Sequence, residues 1–395
     1  MKKYNSLCAF LFCCSVFAQT TSKSMLVFPD TGQNTSYTNS FGEDNDYTIN
    51  TPSFTNNGNG TITDNVTGLM WQQADGGEMT IENAVLYCDN LVLASFNDWR
   101  LPTKQESMSL LNFDSNNPAL NTLYFTNTNA EYWWTATVNY ANLNSYWITN
   151  AGGGTGPKLK TETISAGGTK RYHPRAVRNV AAPTTIIHFT DNGNGTITDN
   201  NTNLMWQKAS TTSTYTWEQA IEYAENLNVA GHADWRLPNI KELTTINDET
   251  TNAPSVNITF FSGVVAARYW SSTTQFSPGG SSAWFQDFQN FGITSQDLKT
   301  VSHNVICVRG TPSVLSVKEL KNPEPTTTVS PNPFKSKIIL KSATGEEHYE
   351  LYDSSGKQFF SGINIDQKDF SVLKNGIYFL RIIGLKTSTV KLIKE

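Results

Sequence analysis

Cysteine is nearly missing from the folded part of this chain. Of five cysteines in 395 residues, Cys8, Cys13 and Cys14 fall in the first eighteen positions, which leaves Cys88 and Cys307. Two thiols are too few for a disulfide scaffold or a thiolate metal cage. Charge is sparse as well, 16% of residues with a net of −5, so nothing favours nucleic acid or an anionic membrane surface. No stretch reaches the roughly 18–20 apolar residues of a membrane-spanning helix. His173, His188, His232, His303 and His348 are scattered without metal-ligand spacing. No Gly-x-Ser-x-Gly elbow or phosphate loop is present, and no catalytic residue is assigned.

What is there begins with an export signal. Lys2 and Lys3 precede an apolar stretch at 6–17, and Val16, Phe17 and Ala18 form a small-residue cleavage site. A lipid anchor at Cys13 or Cys14 is the alternative, but neither follows the expected small residue. Residues 19–53 are a lead-in segment. The chain then repeats itself: 54–72 and 189–207 share sixteen of nineteen residues, both containing "GNGTITDN" and "LMWQ". "NDWRLPTKQES" answers "ADWRLPNIKEL", and "YWWTAT" at 132–137 answers "YWSSTT" at 269–274, pairing Trp133 with Trp270. Two units of this size are a tandem duplication, with domains at 54–180 and 181–310.

Each unit predicts the same elements. "GTITD" alternates as a short strand entered through a Gly-Asn-Gly turn. A helix follows, with Ile81, Ala84, Val85, Cys88 and Leu91 on one face, and Trp217, Ala220, Ile221, Ala224 and Leu227 in the second copy. Thr103 with Glu106, and Asn239 with Glu242, have the spacing of reciprocal helix caps. The rest is strand and loop, making an α+β unit. Residues 311–328 are a Pro/Thr-rich linker. From 329 to 395 short alternating strands read as a small all-β sandwich.

The Asp/Asn-rich loop "DNGNGTITD" suggests calcium but fails the EF-hand template, since Asn201 stands where a bidentate Glu is needed. A hairpin turn and a ligand loop both stay open there, and no cofactor is assigned. Glu43, Asp44 and Asp46 in "GEDNDY" are either a cation site or a solvated turn. The repeated tryptophans (Trp71, Trp99, Trp133, Trp206, Trp235, Trp270) fit core packing at equivalent places, and Arg100 and Arg236 bridge the second helix to backbone carbonyls. Recognition is sought where the copies differ. Copy one carries Trp134 and a basic strip of Lys158, Lys160, Lys170, Arg171, Arg175 and Arg178, opposed within that stretch only by Glu162. Such a strip suits an acidic polysaccharide, or is a solvated loop. Copy two offers Trp284, Phe285 and Phe288, as sugar platforms or core.

The motifs "GTITDNVTGLMWQ" and "DWRLPTKQE" and the closing "VR" resemble the Lcl C-terminal domain family, named after a collagen-like bacterial adhesin. "WRLPT" before an acidic helix is similar to the formylglycine-generating branch of C-type-lectin-like folds. The resemblance implies two tandem C-type-lectin-like domains. It also implies pairing of a helix cysteine with one on the last strand. Here Cys88 faces Ala176 and Cys307 faces Ala224, so neither unit closes its own bridge. A bridge from Cys88 to Cys307 and two buried thiols remain the alternatives. The reactive cysteine pair and the calcium–sugar motifs of those folds are missing. "PNPF", "YDSSGK", "NGIYFLRI" and "KLIK" resemble a type IX secretion C-terminal sorting domain, which implies partnership with that machinery and release or attachment at the outer surface. The expected function is a secreted or surface-displayed adhesin-like binder of polysaccharide or another extracellular ligand. An extracellular polysaccharide hydrolase and a structural surface component stay open as alternatives.

Overall fold

The computed structural model describes residues 19–47, 49–126, 130–165, 168, 171–310, 328–341, 347–353, 356–383 and 387–395. The signal, the linker at 311–327 and Lys170 therefore lie outside the described residues. Two compact units divide the chain near residue 311.

In the first unit the doubled sentence is a hairpin. Strand Phe54–Asn56 pairs antiparallel with Thr61–Asp64, and Phe189–Asp191 with Thr196–Asp199. The turn needs positive φ at Gly58 (70°) and Gly60 (84°), and at Gly193 (74°) and Gly195 (87°), which glycine supplies without a Cβ clash. The aspartate that ends each strand shapes the next turn: Asp64 Oδ1 accepts from the amides of Val66 and Thr67, and Asp199 Oδ1 from that of Asn201. Strands Leu69–Gln72 and Val177–Asn179 complete a four-stranded sheet in the first repeat, and Leu204–Gln207 and Val308–Gly310 do so in the second.

Helices α1 (Ile81–Asp89), α2 (Lys104–Ser109), α3 (Trp217–Glu225) and α4 (Ile240–Thr245) are short, so each repeat is β-rich. Thr103 with Glu106 and Asn239 with Glu242 form the reciprocal caps. Arg100 bridges the second helix to a backbone carbonyl as expected, that of Leu101 at 3.2 Å, but the main contact of both Arg100 and Arg236 is a carboxylate. Each clamps its cap glutamate with two hydrogen bonds, 2.7 and 2.7 Å to Glu106, 2.6 and 2.5 Å to Glu242. A bidentate guanidinium–carboxylate fork outcompetes carbonyls. Ile81, Ala84 and Cys88 are buried as expected, but Val85 is exposed while its counterpart Ile221 is covered. The lead-in explains the difference: it crosses α3, where a Cβ on Gly42 (φ 120°) would lie 2.6 Å from Ile221 Cγ2. Tyr47 also donates to Glu225 on α3, at 2.5 Å.

Trp71, Trp206, Trp235 and Trp270 are almost wholly buried and Trp99 and Trp133 nearly so, in core positions of their repeats. The remaining strands join across the duplication. A seven-stranded sheet runs Arg268–Thr274, Ser282–Asp287, Ile293–Leu298, Thr155–Leu159, Ser145–Asn150, Ala130–Val138, Arg171–His173. Three strands of the second repeat and four of the first, the last being Arg171–His173, meet at Thr294 and Thr155, whose side-chain oxygens lie 3.2 Å apart. This mirrored order makes the two repeats related by an approximate two-fold axis, the geometry of an isologous dimer.

The second unit is all β among its described residues apart from one short 3-10 turn. Strands Gln358–Gly362, His348–Asp353, Gly376–Ile383 and Thr387–Lys394 form one sheet, and Thr328–Ser330 pairs with Ile339–Lys341. Phe334, Ile338, Leu351, Leu380 and Leu392 fill its core.

Candidate functional site

The residues first expected to bind ligand do not meet. Trp134 is fully buried and donates to the Met79 carbonyl at 2.9 Å, as Trp270 does to that of Tyr215 at 3.0 Å. Trp134, not Trp133, is therefore the counterpart of Trp270, because the period-2 alternation of a strand fixes which ring faces the core. Trp284 is 4% exposed and packs edge-on against Phe113 of the first repeat, 5.5 Å between ring centres. Its counterpart is Trp147: their carbonyls accept from Ser271 and Thr135, each at 2.8 Å. Arg175 is buried, bound to the carbonyls of Gln72 and Gln73 and ion-paired with Asp75. None of these three offers a binding surface.

Three of the other basic residues find acids brought from elsewhere. Lys160 lies 3.8 Å from Glu82, Arg171 pairs with Glu78, and Arg178 forks onto Asp98. Lys158 sits over the Tyr132 ring at 5.3 Å. Cys88 and Cys307 are free and buried in separate clusters, Cys88 with Ala176 and Cys307 with Ala224. Burial pushes the Cys88 thiol up to about 12 and raises that of Cys307. They are two inert thiols, not a bridge.

A cavity of about 310 Å³ opens instead between the repeats. Its walls come from the N-terminal segment (Ser22, Met25), the start of α2 (Thr103, Lys104, Gln105) with Thr137, and the second repeat (His188, Asn247, Asp248, Glu249). Lys104 is buried and reaches across to Glu249 at 3.2 Å. Burial lowers its pKa against the pull of that carboxylate. His188 stacks on Phe189, 3.8 Å between ring centres, and burial lowers its pKa too, favouring neutral imidazole. One of these side chains is buried with neither polar atom hydrogen-bonded, Asn247 through its Oδ1 and Nδ2, whereas His188 Nε2 faces Asp199 Oδ1 at 3.5 Å and Glu249 Oε1 takes Lys104. Buried polar atoms are nearly always satisfied, so an amide with both atoms unbonded on a cavity wall is the mark of a site that receives hydrogen bonds from outside the chain.

The two-fold relation gives this cavity a twin. Asn247, Asp248 and Glu249 follow α4 as Leu111, Asn112 and Phe113 follow α2; Asp248 donates to the Ser255 carbonyl as Asn112 does to that of Ala119. Thr137 accepts from the Lys104 amide as Thr273 accepts from that of Ile240, both at 2.9 Å. On the twin side the space is filled by the lead-in. The Phe113 amide donates to the Thr31 carbonyl at 3.0 Å, and Lys241 Nζ to those of Asp30 (2.8 Å) and Ser109 (2.9 Å). Asp30 Oδ1 accepts from Asn239, and the Gln33 amide pairs with both backbone groups of Thr274 at 2.9 and 3.1 Å. Asp44 is buried behind it, accepting from Thr31 at 2.9 Å and Thr273 at 2.5 Å. Burial raises Asp44 to about 8 and Asp30 to about 6. Glu43 is equally buried, on Ser36 and Tyr37. Glu43 and Asp44 of "GEDNDY" are thus part of an internal plug, while Asp46 is exposed and caps the turn by accepting from the amides of Gly42 and Glu43. Sequence reading missed the cavity, although one signal pointed there: Leu111 and Phe113 become Asn247 and Glu249 in the second copy.

No curated protein matches the chain in sequence. A solved structure it is similar to is the dimeric latent PorU of Porphyromonas gingivalis, at 15% identity over 29% of this chain, with a TM-score of 0.13; the match spans 12% of that protein's chain. No helix among the described residues is long and apolar enough to cross a membrane. Residues 328–395 match the secretion system C-terminal sorting domain, which implies engagement of the type IX secretion machinery and export to the outer surface or the extracellular space. Residues 60–180 and 195–309, together more than half of the sequence, each match the Lcl C-terminal domain, and the chain belongs to that family.

Proposed function

We propose that this is a secreted or surface-displayed binding protein that holds an extracellular ligand in the cavity between its two Lcl-type repeats. The hairpin, two short helices and returning sheet of each repeat, taken with the family, support reading them as C-type-lectin-like modules. Polysaccharide was the ligand class anticipated from sequence, through a basic strip. The pairing of Lys160, Arg171 and Arg178 with acids moves the weight from that strip to the cavity. The single observation that carries the reading is the buried side-chain amide of Asn247 on the cavity wall, both of whose polar atoms are unbonded among the described residues.

The test substitutes Asn247 by leucine, the residue at the twin position 111. Removing two buried, unpaired amide atoms should stabilise the chain by about 1–2 kcal/mol. The same change should abolish binding to whichever ligand the full chain selects from arrayed extracellular polysaccharides and peptides. Undiminished binding by Asn247→Leu would place the site elsewhere.

A further inference from the structure

We infer that the inter-repeat cavity takes an extended peptide segment with a basic side chain at its centre, a deepening that rests on the binding role proposed above. The occupied twin supports this. On the other side of the two-fold axis the equivalent walls already hold a peptide, residues 30–33 of this chain, and their contacts show what such walls recognise. A loop amide takes a peptide carbonyl (Phe113 to Thr31), and a strand residue takes a side-chain amide with its own N–H and C=O (Thr274 with Gln33). Both features recur at the cavity. The Glu249 amide stands where that of Phe113 stands, and among the described residues it has no backbone acceptor. Val138 ends its strand where Thr274 does: the next residues, Asn139 and Gln275, pair identically with Ser145 and Ser282. A peptide entering the cavity finds the same two anchors that seat residues 30–33.

Three equivalent wall positions are more negative at the cavity than at its twin, and this decides the centre of the peptide. Lys241 donates to the Asp30 carbonyl, Phe113 to that of Thr31, and Asn112 lies against Gly32, while the Asp30 carboxyl accepts from Asn239 and the amides of Thr31 and Ile49. The cavity has Gln105, Asp248 and Glu249 at the positions of Lys241, Asn112 and Phe113. Lys104 is matched by Glu249 at 3.2 Å, which leaves Asp248 as the carboxylate on that wall without an ion pair among the described residues, its Oδ1 accepting from Thr250. A carboxylate in the place of Asp30 would face like charge, while an ammonium or guanidinium would be met. Asn247, buried with both amide atoms unpartnered, adds one donor and one acceptor for the peptide backbone. Main-chain hydrogen bonds give such a site affinity, and the central side chain gives it selectivity.

The experiment is isothermal titration of the full chain with two nonapeptides. One copies residues 28–36 and the other copies them with lysine in place of Asp30; a panel of neutral and acidic oligosaccharides is titrated in parallel. The lysine peptide should bind saturably and at least tenfold more tightly than the aspartate peptide. Asn247→Leu should abolish its binding, and Asp248→Asn should erase its advantage while leaving the fold intact by thermal melting. Equal binding of the two peptides, or binding untouched by both variants, would overturn the proposal. An oligosaccharide bound in an Asn247-dependent way, with no peptide binding, would overturn the peptide assignment and leave the binding role standing. Silence from every probe would remove both.

Discussion

Asp44→Asn tests how the lead-in is locked onto the second repeat. Asp44 is 2% exposed, and its Oδ2 accepts hydrogen bonds from Thr31 and Thr273. Burial, reinforced by the nearby Asp30 carboxyl, raises its folded pKa from 3.8 to about 8. The folded chain therefore keeps a proton that the unfolded chain releases. The stabilisation is complete below about pH 4 and is lost as pH rises toward 8. Between pH 5 and 7 each unit removes about 1.4 kcal/mol, or about 2.7 kcal/mol over the interval from this group alone. At about 2 °C per kcal/mol for a unit of this size, the melting midpoint falls by about 5 °C. Asparagine keeps an acceptor and a donor and has no proton to lose. Calorimetric melting at pH 5, 6, 7 and 8 should show a dependence for Asp44→Asn shallower than the parent's by that amount, with the variant the more stable at pH 8. Parallel pH curves for the two proteins would refute the picture of a buried, protonated carboxyl.

Two further outcomes follow from the same geometry. In a chain expressed from Gln19, a thiol reagent should find no reactive cysteine in the folded protein and two after denaturation, with no change in melting on adding reductant; a midpoint that drops under reductant would mean that Cys88 and Cys307 are bridged after all. Replacing Lys158, Lys160 and Arg171 together by glutamine should change ligand affinity less than threefold, since Lys160 and Arg171 each already face a carboxylate, as exposed ion pairs contribute only about 0–1 kcal/mol each. A tenfold loss in that triple variant, measured beside Asn247→Leu, would return the site to the basic strip.

Much of the local structure was legible in residue order. The Gly-Asn-Gly turns, the caps at Thr103 and Asn239 and the buried faces of α1 and α3 each depend on neighbours within about five residues. Errors arose where letters were matched without a face: "YWW" against "YWS" misaligned Trp133, and a strand's alternation is settled only by what it packs against. Val85 and Ile221 show the same limit. They occupy equivalent helix positions, yet only Ile221 lies under the lead-in.

The sequence by itself determined that the chain is a duplicated, hairpin-led module with a β-rich sorting tail, because hydrogen-bonded turns, caps and period-2 strands are written in short stretches. It also determined that the two cysteines could not close a bridge within either repeat. Only the tertiary structure decided that Lys160, Arg171, Arg175 and Arg178 are matched by distant acids, that the lead-in is a plug rather than a loop, and that the equivalent place across the two-fold axis is a cavity. Those outcomes rest on contacts such as Gln33 with Thr274 and Lys104 with Glu249, between residues more than a hundred positions apart. Their pairing is set by the two-fold packing of the repeats, which no local pattern encodes.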